Sequence, residues 1–170
     1  MSEKLLDIKD LSVWYKTYRG YSQVVDGVSF YVGRGEKVGL VGESGCGKTT
    51  TMKAILRLQE DGNARVQPGA SIQFDGEDVL AMNKNALLEL RRKKISMISQ
   101  SPMAALNPVF TIGQQMLDVI KYSGYFEKKD HAGMLEAARQ AITSVMISDP
   151  DRILKSYPYQ LSGGMRQRIC

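Results

Sequence analysis

Gly42-Glu43-Ser44-Gly45-Cys46-Gly47-Lys48-Thr49 matches the pattern G-x-x-x-x-G-K-[ST] at every position. Each position has a chemical reason. Glycines let the backbone curl until successive N–H groups point at one anion. The helix that follows turns its positive end toward the same place. Lys48 can reach the outer phosphates of a bound nucleotide, and the Thr49 hydroxyl can ligate Mg²⁺. A glycine-rich turn that binds nothing would not need this setting, in which a short apolar run (Val38-Gly39-Leu40-Val41) precedes the loop and a helical pattern follows it.

Outward from the loop, the first hundred residues read mainly as strands. Leu5 to Val13 reads as a strand, with Leu11 and Val13 alternating against polar neighbours, and Val28, Phe30 and Val32 alternate with Ser29 and Tyr31. Gly33 to Glu36 is a turn. The run Val38 to Val41 is expected to be a buried strand. A helix starts near Lys48, with Met52, Ile55 and Leu56 facing inward. Asn63 to Ala70 reads as a loop, Ser71 to Phe74 as a strand and Asp75-Gly76 as a turn. Asn83 can cap a helix through Leu87, Leu88 and Leu90. Ile95 to Ser99 is a second candidate buried strand.

Beyond about residue 111 the period becomes helical. Thr111 and Gln114 have the spacing of a capping box, and Ile112, Met116 and Val119 then share a face. Asp130 can cap a longer helix with Met134, Ala138, Ala141 and Val145 in one stripe, joined by Leu135 and Ile142. These stripes read as core. The expected domains are residues 1–100, a nucleotide-binding α/β core with an N-terminal β subdomain; residues 101–160, a helical subdomain; and residues 161–170, a second motif with the start of its helix.

Composition is that of an ordinary globular chain of 170 residues, 43% hydrophobic and 24% charged. No signal-peptide pattern opens it, and no apolar run approaches the roughly 18 residues of a spanning helix. Work at a membrane would therefore need an anchoring partner. Cys46 and Cys170 make no disulfide framework, which fits a reducing compartment. The net charge of +5 is densest at Arg91-Arg92-Lys93-Lys94. Without an aromatic platform or nucleic-acid module beside it, this cluster reads as the solvated last turn of a helix, where cations suit the dipole.

Leu161-Ser162-Gly163-Gly164-Met165-Arg166-Gln167-Arg168 lies far downstream. Alone it reads as a serine-capped helix start. Between it and the loop, Gln100 ends a short apolar run. With Gly42 to Thr49 as the phosphate loop, Gln100 as the Q-loop glutamine and Leu161 to Arg168 as the signature, the whole chain resembles the ATP-binding-cassette (ABC) ATPases. Ile98 to Pro108 and Tyr157-Pro158-Tyr159-Gln160 are similar to the dipeptide and oligopeptide importer ATPases, a subfamily that also imports nickel and other small solutes. Ser101 departs from it, since an Asp is usual there.

The resemblance implies a P-loop NTPase core carrying an antiparallel β subdomain and a helical subdomain. It implies ATP and Mg²⁺ as cofactors, bound between two subunits packed head to tail. Gly42, Glu43, Ser44, Gly45, Cys46, Gly47, Lys48, Thr49 and Thr50 would hold the nucleotide from one side. Ser162, Gly163 and Gly164 of the other subunit would close on the γ-phosphate. Lys48, Gln100 and Ser162 would serve hydrolysis. Gln100 would touch Mg²⁺ with Thr49, or the attacking water. The helical region would dock transmembrane permease subunits at the cytoplasmic face of the membrane, with a solute-binding protein acting indirectly. An aromatic near the N-terminus should stack on adenine: Tyr15, which ends the Leu11, Val13, Tyr15 pattern, with Tyr18 and Tyr21 as alternatives.

The resemblance also expects a later strand ending in an Asp for Mg²⁺ and a Glu that polarises water, and then a switch histidine. None of these is among the 170 residues; His131, the lone histidine, lies in the helical region. Two expectations follow. The chain by itself should hydrolyse ATP weakly or not at all, and the fold should be incomplete at its C-terminal end, exposing apolar surface and an unpaired edge. A DNA-repair or chromosome ATPase would place a long coiled coil between Gln100 and Ser162, and no heptad run occurs there; no nucleic-acid partner is expected. A translation-factor relative fits Leu106-Asn107-Pro108 poorly. A module that holds nucleotide without cleaving it remains the alternative to an ATPase.

Overall fold

The computed structural model describes residues 3–58, 63–98, 105–127 and 129–170. The chain divides into two compact units, Met1–Arg91 and Arg92–Cys170, the division falling ahead of Gln100.

The first unit is built on a long hairpin. Strand β1 (Lys4–Thr17) pairs antiparallel with β2 (Gly20–Gly33), closing at Thr17 opposite Gly20. The hairpin therefore runs through Lys16 to Gln23, which the sequence pattern leaves as loop. Alternation fails to announce this length because the register shifts, for example between Ile8 and Leu11. Asp10 sits there at φ 48°, and its N–H donates to Ser29 Oγ at 2.8 Å. A bulge of this kind flips the inward set and hides the period.

Three short strands complete the sheet: β3 (Ala64–Val66), β4 (Ser71–Phe74) and β5 (Glu77–Asp78). The order is β2-β1-β4-β5, with β3 also on β1, and these strands pair antiparallel throughout. Helix α1 (Lys48–Ile55) packs on β1 and β2. It buries Thr51, Ala54 and Ile55, together with Leu56 at its end, while Met52 is only half-buried. Ile8, Leu11, Val13, Val25, Ile72 and Val79 are the buried side chains of the sheet side. Helix α2 (Lys84–Glu89) begins where Asn83 accepts from the Ala86 N–H and continues into a π-helical turn, Leu90–Lys94.

Two expected strands do not form among the described residues. Val38 to Val41 has no ladder partner among the described residues, and Val38, Leu40 and Val41 are exposed, Val41 to 94%. Ile95 to Ile98 is likewise irregular, with Ile98 83% exposed; Ser99 lies outside the described residues. Continuous apolar runs suit strands paired on both edges and covered on both faces. Among the described residues neither segment has such ladder partners.

The second unit is helical: α3 (Ile112–Ser123), α4 (His131–Ser144), α5 (Pro150–Lys155) and α6 (Gly163–Ile169), with a 3₁₀ turn at Pro158–Gln160. The Thr111–Gln114 capping box is formed in both directions, and Asp130 caps α4 through the Gly133 N–H. Ile112, Ala138, Ile142, Ile147, Ile153, Leu154 and Leu161 make the core, with Met116, Ile120 and Leu135 against it. Val119 is 72% exposed, so the buried face of α3 runs Ile112, Met116, Ile120. Ala141 is exposed too, its place on α4 being taken by Ile142. Helices α3 and α5 approach closely at Gly113, where a Cβ would lie 2.7 Å from the Leu154 carbonyl oxygen. Among the described residues no helix is long and apolar enough to cross a membrane.

Candidate functional site: a phosphate loop at the start of α1

The Gly42–Thr49 segment closes on itself. The Cys46 N–H donates to the Glu43 carbonyl at 3.3 Å, making a tight turn. Lys48 Nζ then donates to the Gly42 carbonyl at 2.7 Å and to the Glu43 carbonyl at 2.6 Å, and lies 3.5 Å from Cys46 Sγ. A loop that wraps its own ammonium has its cation where an anion entering the turn would meet it.

The backbone demands glycine at Gly47, while Gly42 keeps room for a neighbouring side chain. Gly47 is the N-cap of α1 at φ 92°, and a Cβ there would lie 2.8 Å from the Val24 carbonyl oxygen of β2. The first turn of α1 is thus pressed directly against the sheet. At Gly42 a Cβ would meet Cys46 Sγ at 2.6 Å, inside the curl.

The N-terminal end of α1 has no side-chain cap. Its ladder opens with the Thr51 N–H donating to the Gly47 carbonyl at 2.8 Å, reinforced by Thr51 Oγ1 donating to the same oxygen at 3.0 Å. The N–H groups of Lys48, Thr49 and Thr50 come before that bond and belong to the set a helix start leaves without intrahelical partners. Such donors, with the helix dipole and Lys48, suit a polyphosphate. The exposed Thr49 hydroxyl is a hard oxygen donor of the kind Mg²⁺ takes. The cradle and its donor set therefore fit a Mg²⁺–nucleotide. Among the described residues no group of three or more His, Cys, Asp or Glu side chains could hold a metal by itself.

Tyr15 lies beside this loop. Its half-buried ring turns toward α1, with the hydroxyl 3.5 Å from Thr50 Oγ1. The alternatives lie elsewhere on the hairpin. Tyr18 is fully exposed at the turn, and Tyr21, 61% exposed, pairs with Trp14 at a centroid distance of 6.2 Å.

In the second unit Ser162 caps α6, its Oγ accepting from the Met165 N–H at 3.3 Å. Gly163 and Gly164 are exposed, and a Cβ on either would meet nothing. Buried Leu161 and the bonds from Arg168 Nη1 to the Val145 and Met146 carbonyls hold the segment in its unit. Ahead of it, the rings of Tyr157 and Tyr159 stack at 5.6 Å. Gln100 lies outside the described residues. The structure thus brings Tyr15 and Gly42 to Thr50 together in one unit and sets Ser162, Gly163 and Gly164 on a helix start in the other.

Sequence reasoning missed Arg91. Its half-buried guanidinium bonds the Leu56 and Arg57 carbonyls at the end of α1. It missed the Val24 carbonyl behind Gly47 as well, since a main-chain atom leaves no mark in residue types.

The ABC transporter family profile matches residues 25–170. A probable peptide ABC transporter ATP-binding protein of Sinorhizobium fredii is 38% identical over 167 residues, covering 98% of this chain and 49% of its own length. The dipeptide transport ATP-binding protein of Bacillus subtilis is 41% identical over 171 residues, covering 98% and 49%. The chain spans about half the length of these curated relatives. Among solved structures, a dimeric post-hydrolysis ATP-binding cassette with ADP and Pi superposes with a TM-score of 0.80 at 21% identity, over 96% of this chain and 66% of that one. At that identity the likeness speaks for the fold. The profile over most of the chain, and relatives along nearly all of it, establish that this protein belongs to the ABC transporter family.

Proposed function

We propose that the chain is the ATP-gripping part of an ABC transporter's ATP-binding subunit, serving import of peptides or a related small solute. The observation that carries this is the closed Gly42–Thr49 loop with Lys48 Nζ held on the Gly42 and Glu43 carbonyls. Peptide as cargo rests on the names of the relatives in Sinorhizobium fredii and Bacillus subtilis.

In this reading the N–H groups opening α1 and the Lys48 ammonium hold the phosphates, and Tyr15 stacks on the base. Thr49, with Gln100, holds Mg²⁺, which neutralises phosphate charge. The Ser162-Gly163-Gly164 helix start faces the γ-phosphate on a second subunit, homologous or identical, packed head to tail. Two positive helix ends on one triphosphate hold the pair together while the γ-phosphate is present, and hydrolysis releases it. The helical unit docks permease subunits at the cytoplasmic face of the membrane, and a solute-binding protein delivers cargo to them.

The chain by itself binds ATP and turns it over slowly. The general base and metal carboxylate that the family resemblance expects are not among its 170 residues, and a missing base alone costs about 10²- to 10⁴-fold. The test is a fluorescent-ATP titration beside a steady-state ATPase assay, with Lys48→Ala as control. Mg²⁺-dependent binding that Lys48→Ala weakens roughly 10- to 100-fold, with turnover at background, supports the reading. Absence of binding overturns it, and robust Lys48-dependent turnover overturns the slow-hydrolysis part.

A further inference from the structure

The end of α1 opposite the phosphate loop is held from outside. Arg91 Nε donates to the Leu56 carbonyl at 2.9 Å, and its Nη2 donates to the Leu56 carbonyl at 2.6 Å and the Arg57 carbonyl at 2.9 Å. Leu56 is the C-cap of α1. Arg57 leaves the helix at φ 51°, in the left-handed region that favours glycine. Its own Nη1 donates to the Val79 and Met82 carbonyls at 3.3 and 2.7 Å. A helix end carries unpaired carbonyls and partial negative charge, and a planar guanidinium fork suits two such acceptors better than a point charge does.

Arg91 also stands at a special place in the chain. It lies in the π-helical turn Leu90–Lys94, within which the chain leaves the first unit between Arg91 and Arg92. π-Turns are rare and concentrate at functional positions. Helix α1 is two turns long, about 12 Å at the ordinary rise. Its Lys48 end cannot shift along the axis without carrying the Leu56 carbonyl with it.

We infer that Arg91 is a positioning residue that couples phosphate occupancy at the Lys48 end of α1 to the Leu90–Lys94 turn. The inference rests on the nucleotide-binding reading above. Arg91 touches no nucleotide; it holds the far end of the helix that does. A pull on the N-terminal turn of α1 by a bound triphosphate reaches Leu56 through the helix and the π-turn through the guanidinium.

Hydrogen–deuterium exchange of the whole chain with and without Mg²⁺–ATP tests this. In the wild type, ATP slows exchange in both Gly42–Thr51 and Leu90–Lys94. In Arg91→Ala the protection of Gly42–Thr51 persists and the ATP-dependent protection of Leu90–Lys94 is lost. Arg91→Lys restores part of it, since an ammonium can reach one of the carbonyls. A purely structural role would speed exchange with and without ATP and leave the difference between them. Two outcomes overturn the inference. One is Arg91→Ala keeping the ATP-dependent protection of Leu90–Lys94. The other, which needs no variant to fold, is a wild type that responds at Gly42–Thr51 and not at Leu90–Lys94. Silence at Gly42–Thr51 in the wild type overturns the nucleotide-binding reading itself.

Discussion

The Lys48 ammonium lies 2.7 Å from the carbonyl oxygen of Gly42, at the other end of the loop that both residues close. The charge that should meet phosphate is held by the loop's own main chain. Phosphate must take the ammonium over from two neutral carbonyls, an exchange that favours the anion because charge-assisted bonds are the stronger.

Lys48→Met separates these two duties. Half-buried Lys48 bonds only the carbonyls of its own loop, so the unfolding free energy read from urea denaturation is expected to change by no more than about 0.5 kcal/mol. ATP affinity is expected to fall roughly 10- to 100-fold, the worth of a charged hydrogen-bonding partner. A titration with fluorescent ATP beside the urea melt decides it. A parallel collapse of stability would mean that the lysine serves the fold first.

Gly47→Ala and Gly45→Ala should differ, although both glycines have positive φ, 92° and 85°. A Cβ at Gly45 meets nothing, whereas one at Gly47 runs into the Val24 carbonyl. The first costs only left-handed strain of about 1 kcal/mol. The second adds a main-chain clash and should cost about 3 kcal/mol or more. Equal urea midpoints for the two variants would show that α1 can lift off β2 freely.

Tyr15→Ala is expected to weaken ATP binding about tenfold, within the range of one base–aromatic stack, and to leave inorganic tripolyphosphate binding unchanged. Tyr15→Phe keeps the ring and gives up only the 3.5 Å contact with Thr50, so it should bind like the wild type. If Tyr21→Ala shows the base-selective loss and Tyr15→Ala does not, the adenine lies on the other face of the hairpin.

Gly113→Ala acts in the second unit. The Leu154 carbonyl blocks the new methyl group, and forcing α3 from α5 should cost about 1–3 kcal/mol. Exchange measurements should show the loss within Arg92–Cys170 and an unchanged ATP response at Gly42–Thr51.

What the sequence discloses here is whatever is written locally. The phosphate loop, the Thr111–Gln114 box and the caps at Asn83, Asp130 and Ser162 each depend on a few neighbouring residues, and each is formed. Readings that needed a distant partner fared worse. Val38 to Val41 looks like a buried strand because its composition suits one, yet a strand is made by its neighbours. The hairpin is longer than its pattern because bulges break the alternation. Arg91 is indistinguishable in sequence from Arg92, Lys93 and Lys94; only the fold brings it to Leu56. Gln100 lies outside the described residues, so its role rests on family resemblance alone.

The exposed Val38, Leu40 and Val41 have a meaning for the cell that the chemistry of the loop does not show. A bare apolar strip immediately ahead of the phosphate loop is what chaperones and proteases recognise. Covering that strip would therefore also decide how long the molecule escapes them.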